Sequence, residues 1–286
     1  MSSPGADHRI DGSGTARARC VLAPNPSPMT LDGTNTYLVA EPGSTTAVVV
    51  DPGPDDEAHL LRVRRTAERA GQRIAAIILT HGHLDHSAGA RTLAGLTGAG
   101  VRAVDPAFRL GSEGLPPGSV VTDGGCEIEV LGTPGHTADS VSLYLRADRA
   151  VLTGDTVLGR GTTVIAGDGS LRDYLASLRR LRDLADSAPL ATLLPGHGPL
   201  LADPHGTLDY YLTHRAERLA EIRAALAAGD WSAAEIVARV YADVDRALWP
   251  VAEYSVRAQL AYLGELGELG ELGELPDGFG GPRDSA

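Results

Sequence analysis

The chain contains no lysine, and all 25 of its basic residues are arginines. This absence excludes a P-loop, whose lysine reaches the nucleotide phosphates, and catalysis through a lysine Schiff base. Acidic residues outnumber the arginines, and the formal net charge of the 286 residues is −12. Such a surface would steer nucleic acid poorly over long distances, although bound metals would make a cleft locally positive.

Aromatic residues and cysteines are also scarce. Phe, Trp and Tyr make up 4% of the chain, which leaves few surfaces for stacking the bases of a single strand. Two cysteines, Cys20 and Cys126, do not form a disulfide framework. No apolar stretch reaches the roughly 20 residues of a membrane helix. We therefore expect no membrane span, no signal peptide and a cytoplasmic location.

Apolar and alternating runs predict strands at 36–40, 47–51, 75–80, 100–104, 119–122, 127–132, 140–145 and 150–153. Helical patterns at 57–70, 87–97 and 171–184 lie among them, which favours an α/β layered domain. Further helical patterns at 208–228, from 232 and at 252–263 predict a small helical unit. We divide the chain into a disordered N-terminus (1–17), the α/β domain (18–203), the helical unit (204–263) and a flexible tail with a Gly-Glu-Leu repeat (264–286).

Potential metal ligands are concentrated in the segment His-Gly-His-Leu-Asp-His, from His81 to His86, directly after a predicted strand. Imidazole and carboxylate groups together suit zinc, and less selectively iron or manganese. Three glycine-containing turns present one further ligand each: His136, Asp155 and His197. Because one metal needs only three or four ligands, this surplus predicts two metals.

The motifs His-x-His-x-Asp-His, Thr-Pro-Gly-His, Gly-Asp-Thr and Pro-Gly-His-Gly resemble those of the metallo-β-lactamase-fold hydrolases. The resemblance implies a four-layer αββα sandwich and two zinc ions, with iron or manganese as alternatives. It also implies the ligands: His81, His83 and His136 for one metal, Asp85, His86 and His197 for the other, Asp155 as a bridge, and Asp51 as a support that binds no metal.

Four further segments resemble the β-lactamase-like protein 2 subgroup: 25–37, 158–163, 211–215 and the helix after 248–250. That subgroup carries a winged-helix-like C-terminal unit, which agrees with the helices predicted there. Its relatives include an endoribonuclease specific for single-stranded RNA and thioesterases that release polyketides from acyl carriers.

The resulting hypothesis is a dinuclear zinc hydrolase in which a hydroxide shared by the metals attacks an ester-type bond. Asp85 would orient the nucleophile, and His214 is a candidate proton donor. Thr34, Asn35, Thr36 and Tyr211 would contact the substrate.

Several functions remain open at this stage. A thioester or small ester suits the acidic composition, whereas the subgroup's relatives favour single-stranded RNA. A non-catalytic metal-binding protein that docks a partner is a third reading, although such proteins commonly lose ligands and this chain has all seven. We do not expect β-lactam hydrolysis, because antibiotic-hydrolysing members are usually exported. The oligomeric state is left open.

Overall fold

The structure, a computed structural model, describes residues 10–111 and 114–269. The strands of these residues form two five-stranded sheets. The first sheet contains, in spatial order, β1 (Ala18–Leu22), β2 (Asn35–Val39), β3 (Thr46–Val50), β4 (Arg73–Ile78) and β5 (Gly100–Arg102). The second contains β6 (Val120–Val121), β7 (Ile128–Gly132), β8 (Val141–Leu145), β9 (Ala150–Gly154) and β10 (Thr192–Pro195), in the spatial order β10-β9-β8-β7-β6.

Helices cover the outer face of each sheet. They are α1 (Glu57–Arg69), α2 (Leu84–Ser87), α3 (Ala90–Thr97), α4 (Leu171–Ser187), α5 (Pro204–Ala227), α6 (Ala233–Val240) and α7 (Trp249–Glu265). None of the helices in the described ranges is long and apolar enough to cross a bilayer.

Three apolar layers hold the sheets and helices together. Val50, Ile78 and Leu143 belong to the layer between the two sheets. A second layer joins the first sheet to α1 and α3, and a third joins the second sheet to α4, α5 and the C-terminal helices. Each aliphatic side chain buried in this way contributes about 1.5–3 kcal/mol. The predicted four-layer αββα sandwich is confirmed.

The strand directions bring several strand ends to one edge. β3 is parallel to β4 in the first sheet. In the second sheet β9 is parallel to β10, and β7 is antiparallel to β8, which is antiparallel to β9. The carboxyl ends of β7, β9 and β10 therefore share an edge. The backbone N–H of Val141 donates to the carbonyl oxygen of Thr80, which joins the two sheets there.

Most element boundaries agree with the sequence patterns to within a few residues, with three differences. The patterns missed β1 and β10, which are short and contain Arg19 and Pro195. The helix expected at 87–97 is instead two helices, α2 and α3, separated by Ala88 and Gly89.

The two ends of the described chain are more ordered than expected. Residues 10–17 make backbone hydrogen bonds to β1, and the Arg17 guanidinium pairs with Glu41 and Asp148. At the other end, Glu268 pairs with Arg223, and Leu269 is buried in the C-terminal core. The expected disorder thus does not extend to residues 10–17, nor the expected flexible tail to 264–269. Residues 1–9 and 270–286 lie outside the described ranges, and the remaining unit boundaries stay predictions.

Candidate metal centre

The first group of candidate ligands is formed by His81, His83 and His136. The Nδ1 atom of His83 lies 3.1 Å from Nε2 of His81 and 2.9 Å from Nε2 of His136. His81 and His83 come from the turn after β4, and His136 comes from the turn after β7. The two sheets thus each supply part of this group.

A second group is formed by Asp85, His86 and His197. The Nε2 atom of His197 lies 3.1 Å from Nε2 of His86 and 3.1 Å from Oδ2 of Asp85. His86 is fully buried, whereas 31% of the Asp85 side chain remains exposed. The Asp85 carboxylate is therefore partly open to solvent, while the imidazoles of His86 and His197 are buried.

Asp155 stands between the two groups. Its Oδ2 atom lies 3.7 Å from Nε2 of His136 in the first group and 3.4 Å from Nε2 of His197 in the second. Its Oδ1 atom is buried without a hydrogen-bond donor among the described residues, and Nε2 of His86 lies 3.4 Å away. A buried carboxylate oxygen without a donor is costly unless a cation satisfies it.

This close approach requires a glycine at position 196. A Cβ atom there would lie 2.5 Å from Oδ1 of Asp155 and 2.7 Å from Cε1 of His86. The Pro-Gly-His-Gly turn therefore passes directly beside the ligands because residue 196 has no side chain.

The donor atoms fit divalent metals. Tetrahedral donors about 2.0–2.1 Å from a zinc ion lie roughly 3.3 Å from each other. The distances between neighbouring donors described above, from 2.9 to 3.7 Å, scatter around this value. Imidazole nitrogens and carboxylate oxygens are also the donor types that zinc and iron share. The residues present therefore fit a metal centre, and the donor set alone does not choose the element.

Electrostatics divide the imidazoles into two classes. Burial opposes a charge on His86, yet the carboxylates of Asp155 and Asp51 raise its pKa well above the usual value. Burial likewise opposes a charge on His197, but Asp155 and Asp85 raise its pKa to about 9. In contrast, burial lowers the pKa of His81 well below its usual value. The carboxylates thus favour positive charge on the Asp85, His86 and His197 side of the centre.

Asp51 supports the ligand turn from behind. Its Oδ1 atom accepts a hydrogen bond from the Thr80 backbone N–H at 2.8 Å, and its Oδ2 atom accepts from the Thr80 hydroxyl at 2.7 Å. The same Oδ2 atom lies 2.9 Å from Nδ1 of His86, which leaves Nε2 of that ring directed at the centre. This is the geometry of a carboxylate that orients a ligating imidazole.

The segment Thr34–Thr36, which we expected at the substrate, is buried beside the turn that carries His197. All three residues are at most 1% exposed, and their side chains contact other parts of the protein. The Asn35 Nδ2 group donates to the carbonyl oxygens of Pro195 and Gly198, at 2.9 and 2.8 Å. Thr34 forms a β-bridge with His197, and the Thr36 hydroxyl lies 3.0 Å from Nε2 of His59. The segment therefore positions the His197 turn, and its contact with substrate stays a prediction.

Replacing Asn35 by alanine should weaken the hold on His197. The substitution removes the donor for two carbonyl groups of the buried turn, a loss of about 2–4 kcal/mol in the free energy of unfolding. Loss of such an orienting contact typically costs a further 10- to 100-fold in metal affinity. Urea unfolding and chelator competition measure the two effects. Asp186→Ala is the control, because the Asp186 side chain pairs with Arg182 and His205 and not with the turn. Equal metal affinities of the two variants would contradict this role of Asn35.

Tyr211 and His214 also differ from the expectation. The Tyr211 hydroxyl accepts from the Leu158 backbone N–H at 2.8 Å and donates to the Gly161 carbonyl oxygen at 3.0 Å, and the side chain is buried. His214 packs its ring against that of Tyr210 and makes no hydrogen bond to a candidate ligand among the described residues. Tyr211 therefore braces a loop, and its contact with substrate stays a prediction.

The same loop receives a contact that the sequence patterns did not indicate. The guanidinium of Arg215, on α5, donates to the carbonyl oxygen of Thr163 and packs over the ring of Tyr174. The Thr163 hydroxyl donates to the backbone carbonyl of Asp155. Arg215 is 3% exposed. The C-terminal helices thus brace the loop that carries Asp155.

A model of the metallo-β-lactamase superfamily matches residues 29–197, more than half of the chain and all seven candidate ligands. The chain belongs to the metallo-β-lactamase superfamily. It is therefore a metallo-hydrolase of that fold, as the motifs predicted. A model of the β-lactamase-associated winged helix domain matches residues 232–269, which confirms the predicted winged-helix-like character of the C-terminal helices.

Known members of the superfamily resemble the chain over most of its length. The β-lactamase-like protein 2 homolog of Caenorhabditis elegans is 32% identical over 78% of this chain and 76% of that protein. The Drosophila melanogaster homolog is 30% identical over 85% of this chain and 86% of that protein. The thioesterase pkgB of Emericella nidulans is 32% identical over 72% of this chain and 58% of that protein.

Solved structures show the same fold. A metallo-β-lactamase family protein from Thermus thermophilus has a TM-score of 0.72 at 23% identity, over 87% of this chain and 94% of that one. TTHA1623, solved in a di-iron-bound form, has a TM-score of 0.51 at 27% identity, over 68% of this chain and 96% of that one.

Proposed function

We propose that this metallo-hydrolase is a dinuclear zinc enzyme that cleaves an ester-type bond, with a thioester or small ester as substrate. The observation that carries the proposal is the position of Asp155, whose two oxygens face both ligand groups and whose Oδ1 atom is buried without a donor. A carboxylate in this position suits a bridge between two cations.

Two sets of residues would hold the two metals. His81, His83 and His136 would hold one ion, and Asp85, His86 and His197 the other. Two divalent ions held in this way would supply a water with a pKa near 7 and would polarise the carbonyl oxygen of a substrate. The partly exposed carboxylate of Asp85 would orient the incoming water. His214 is not part of the proposed catalytic set, because its ring contacts Tyr210 instead of a ligand.

Zinc is the proposed metal on the basis of the donor types, and iron is the principal alternative. The imidazole-rich set suits both, and the di-iron form of TTHA1623 shows that a protein of this fold accepts iron. A thioester or small ester is the proposed substrate because the chain is acidic and lacks lysine, and because pkgB, a relative, is named a thioesterase.

Elemental analysis of the purified full chain, combined with hydrolysis assays, tests the proposal. We expect two zinc ions per chain and metal-dependent hydrolysis of thioesters or aryl esters, which a chelator abolishes and added zinc restores. Short single-stranded RNA and a phosphodiester serve as competing substrates. Undiminished hydrolysis by metal-depleted protein, or a stoichiometry of one, would overturn the dinuclear proposal. Metal binding without hydrolysis of any substrate would favour a non-catalytic protein.

A further inference from the structure

A cleft of about 490 Å³ opens beside His83. One wall is apolar and is formed by Val104, Pro106 and Phe108, in the loop that follows β5. The Phe108 ring rests on the backbone of the ligand turn, because a Cβ atom at Gly82 would lie 2.5 Å from it. An apolar surface is thus fixed at the edge of the metal centre, on the side where His83 is exposed.

The opposite side of the cleft carries carboxylates. Asp139 and Asp168 lie there, and Asp105 lies between Val104 and Pro106, in the loop that forms the apolar wall. The Asp139 carboxylate accepts a hydrogen bond from the Thr137 hydroxyl at 2.6 Å, and Asp168 accepts from the Ala138 backbone N–H at 3.1 Å. These bonds fix both carboxylates at the turn that follows His136.

No arginine pairs with these carboxylates within the part of the chain that the structure describes. None of the three takes part in an ion pair there, and no arginine is among the residues found to line the cleft. Arg109 follows Phe108, but its guanidinium donates to the carbonyl oxygens of Ala103 and Val104. Burial raises the pKa of Asp139, and the neighbouring Asp168 and Asp105 raise it further against the hydrogen bond from Thr137. The three carboxylates are therefore close enough to repel one another and any anion that enters.

We propose that this cleft selects substrates by charge: Phe108 holds an uncharged apolar acyl group, and Asp139 and Asp168 reject anionic substrates, including phosphodiesters. The inference rests on the proposed function and narrows its substrate class. It assigns specificity to residues that bind no metal. The phosphates of an RNA strand beside His83 would meet three negative groups without a compensating arginine. An uncharged ester meets no such barrier and buries its chain against Phe108.

Paired aryl esters test the charge selection, because they share a leaving group and differ in acyl charge. We expect the metal-loaded full chain to prefer p-nitrophenyl butyrate over mono-p-nitrophenyl succinate by at least about tenfold in kcat/KM. The double variant D139N/D168N should reduce that preference by about tenfold, mainly through a lower KM for the succinate. Added salt should reduce the preference of the native protein as well. F108A should instead raise the KM for the butyrate about fivefold.

Two controls separate charge selection from other effects. Asp243→Asn removes an exposed carboxylate of the C-terminal unit and should leave the preference unchanged. Elemental analysis should find equal metal contents in the native chain and the double variant, because asparagine keeps the oxygens that accept from Thr137 and Ala138.

Calorimetry keeps this inference separate from the hydrolase proposal. Two non-hydrolysable ketone analogues, one ending in a methyl group and one in a carboxylate, are titrated into the same proteins. If no ester is hydrolysed, the proposed function fails, while tighter binding of the methyl analogue, lost in the double variant, still supports charge selection. Charge selection would be overturned if the native protein bound both analogues equally or bound neither. It would also be overturned if the double variant kept the native preference for the methyl analogue.

Discussion

Asp155→Ala should abolish hydrolysis and strip metal from the protein. The side chain lies 3.4–3.7 Å from imidazoles of both ligand groups, so its loss removes an anionic donor from each metal. Metal polarisation contributes several kcal/mol to catalysis. A loss of about 4 kcal/mol corresponds to a decrease of roughly 10³-fold in kcat. Elemental analysis should find fewer than two metals per chain, and kcat should fall by at least this factor.

Two comparisons make the Asp155 result specific. Asp155→Asn keeps the shape of the side chain and removes its charge, and we expect it to lose metal as well. Asp186→Ala removes a carboxylate with 59% side-chain exposure, far from the ligand turns in the fold, and should keep both metals and full activity. Circular dichroism checks that all three variants are folded. A folded Asp155→Ala protein with two metals and native kcat would disprove the bridging role.

Asp51→Ala should have the largest effect on stability while leaving every ligand in place. Asp51 accepts from the Thr80 N–H and hydroxyl and contacts Nδ1 of His86, and all these groups are buried. Each donor left without a partner costs about 1–3 kcal/mol, so we expect a loss of at least about 3 kcal/mol in the free energy of unfolding. Metal affinity should fall about 10- to 100-fold, because the His86 ring loses its orienting partner.

The backbone at Asp51 makes asparagine the informative comparison. Its φ angle is +50°, in the left-handed region that asparagine and aspartate tolerate better than alanine does. Asp51→Asn keeps this tolerance and one accepting oxygen but turns an amide group toward one set of donors. The stability of Asp51→Asn in urea unfolding and its metal affinity in chelator competition should therefore lie between those of the native protein and those of Asp51→Ala. Native stability and metal affinity in Asp51→Ala would contradict the supporting role.

The clustering of the candidate metal ligands was predictable because their signals are local. The segment from His81 to His86 follows a strand pattern, and each remaining ligand stands in its own glycine-containing turn. The structure brings all seven side chains to one edge of the sandwich, because those turns follow parallel strand ends. The assignment of each ligand to a particular metal stays a prediction.

Residues that act through distant contacts were not predictable in this way. Asn35 resembles a substrate-binding residue in sequence, and only the fold places it against a turn 160 residues later. His59 reads as a surface position in a helical pattern, yet it is 2% exposed beside Thr36. Phe108 gave no signal, because its contact with Gly82 depends on how the loop after β5 folds back.

The attachment of the His197 turn to Asn35 also sets an order in which the centre can form. Asn35 and Pro195, which are in contact, are 160 positions apart in the chain, and His86 and His197 are 111 positions apart. Closing a loop of this length costs about 4 kcal/mol in free energy through lost chain entropy, and the contacts that offset this cost form only afterwards. A chain emerging from the ribosome displays His81 to His86 long before β10 exists. We therefore expect the nascent protein to hold metal only loosely, and to acquire its full complement after synthesis has passed the last strand.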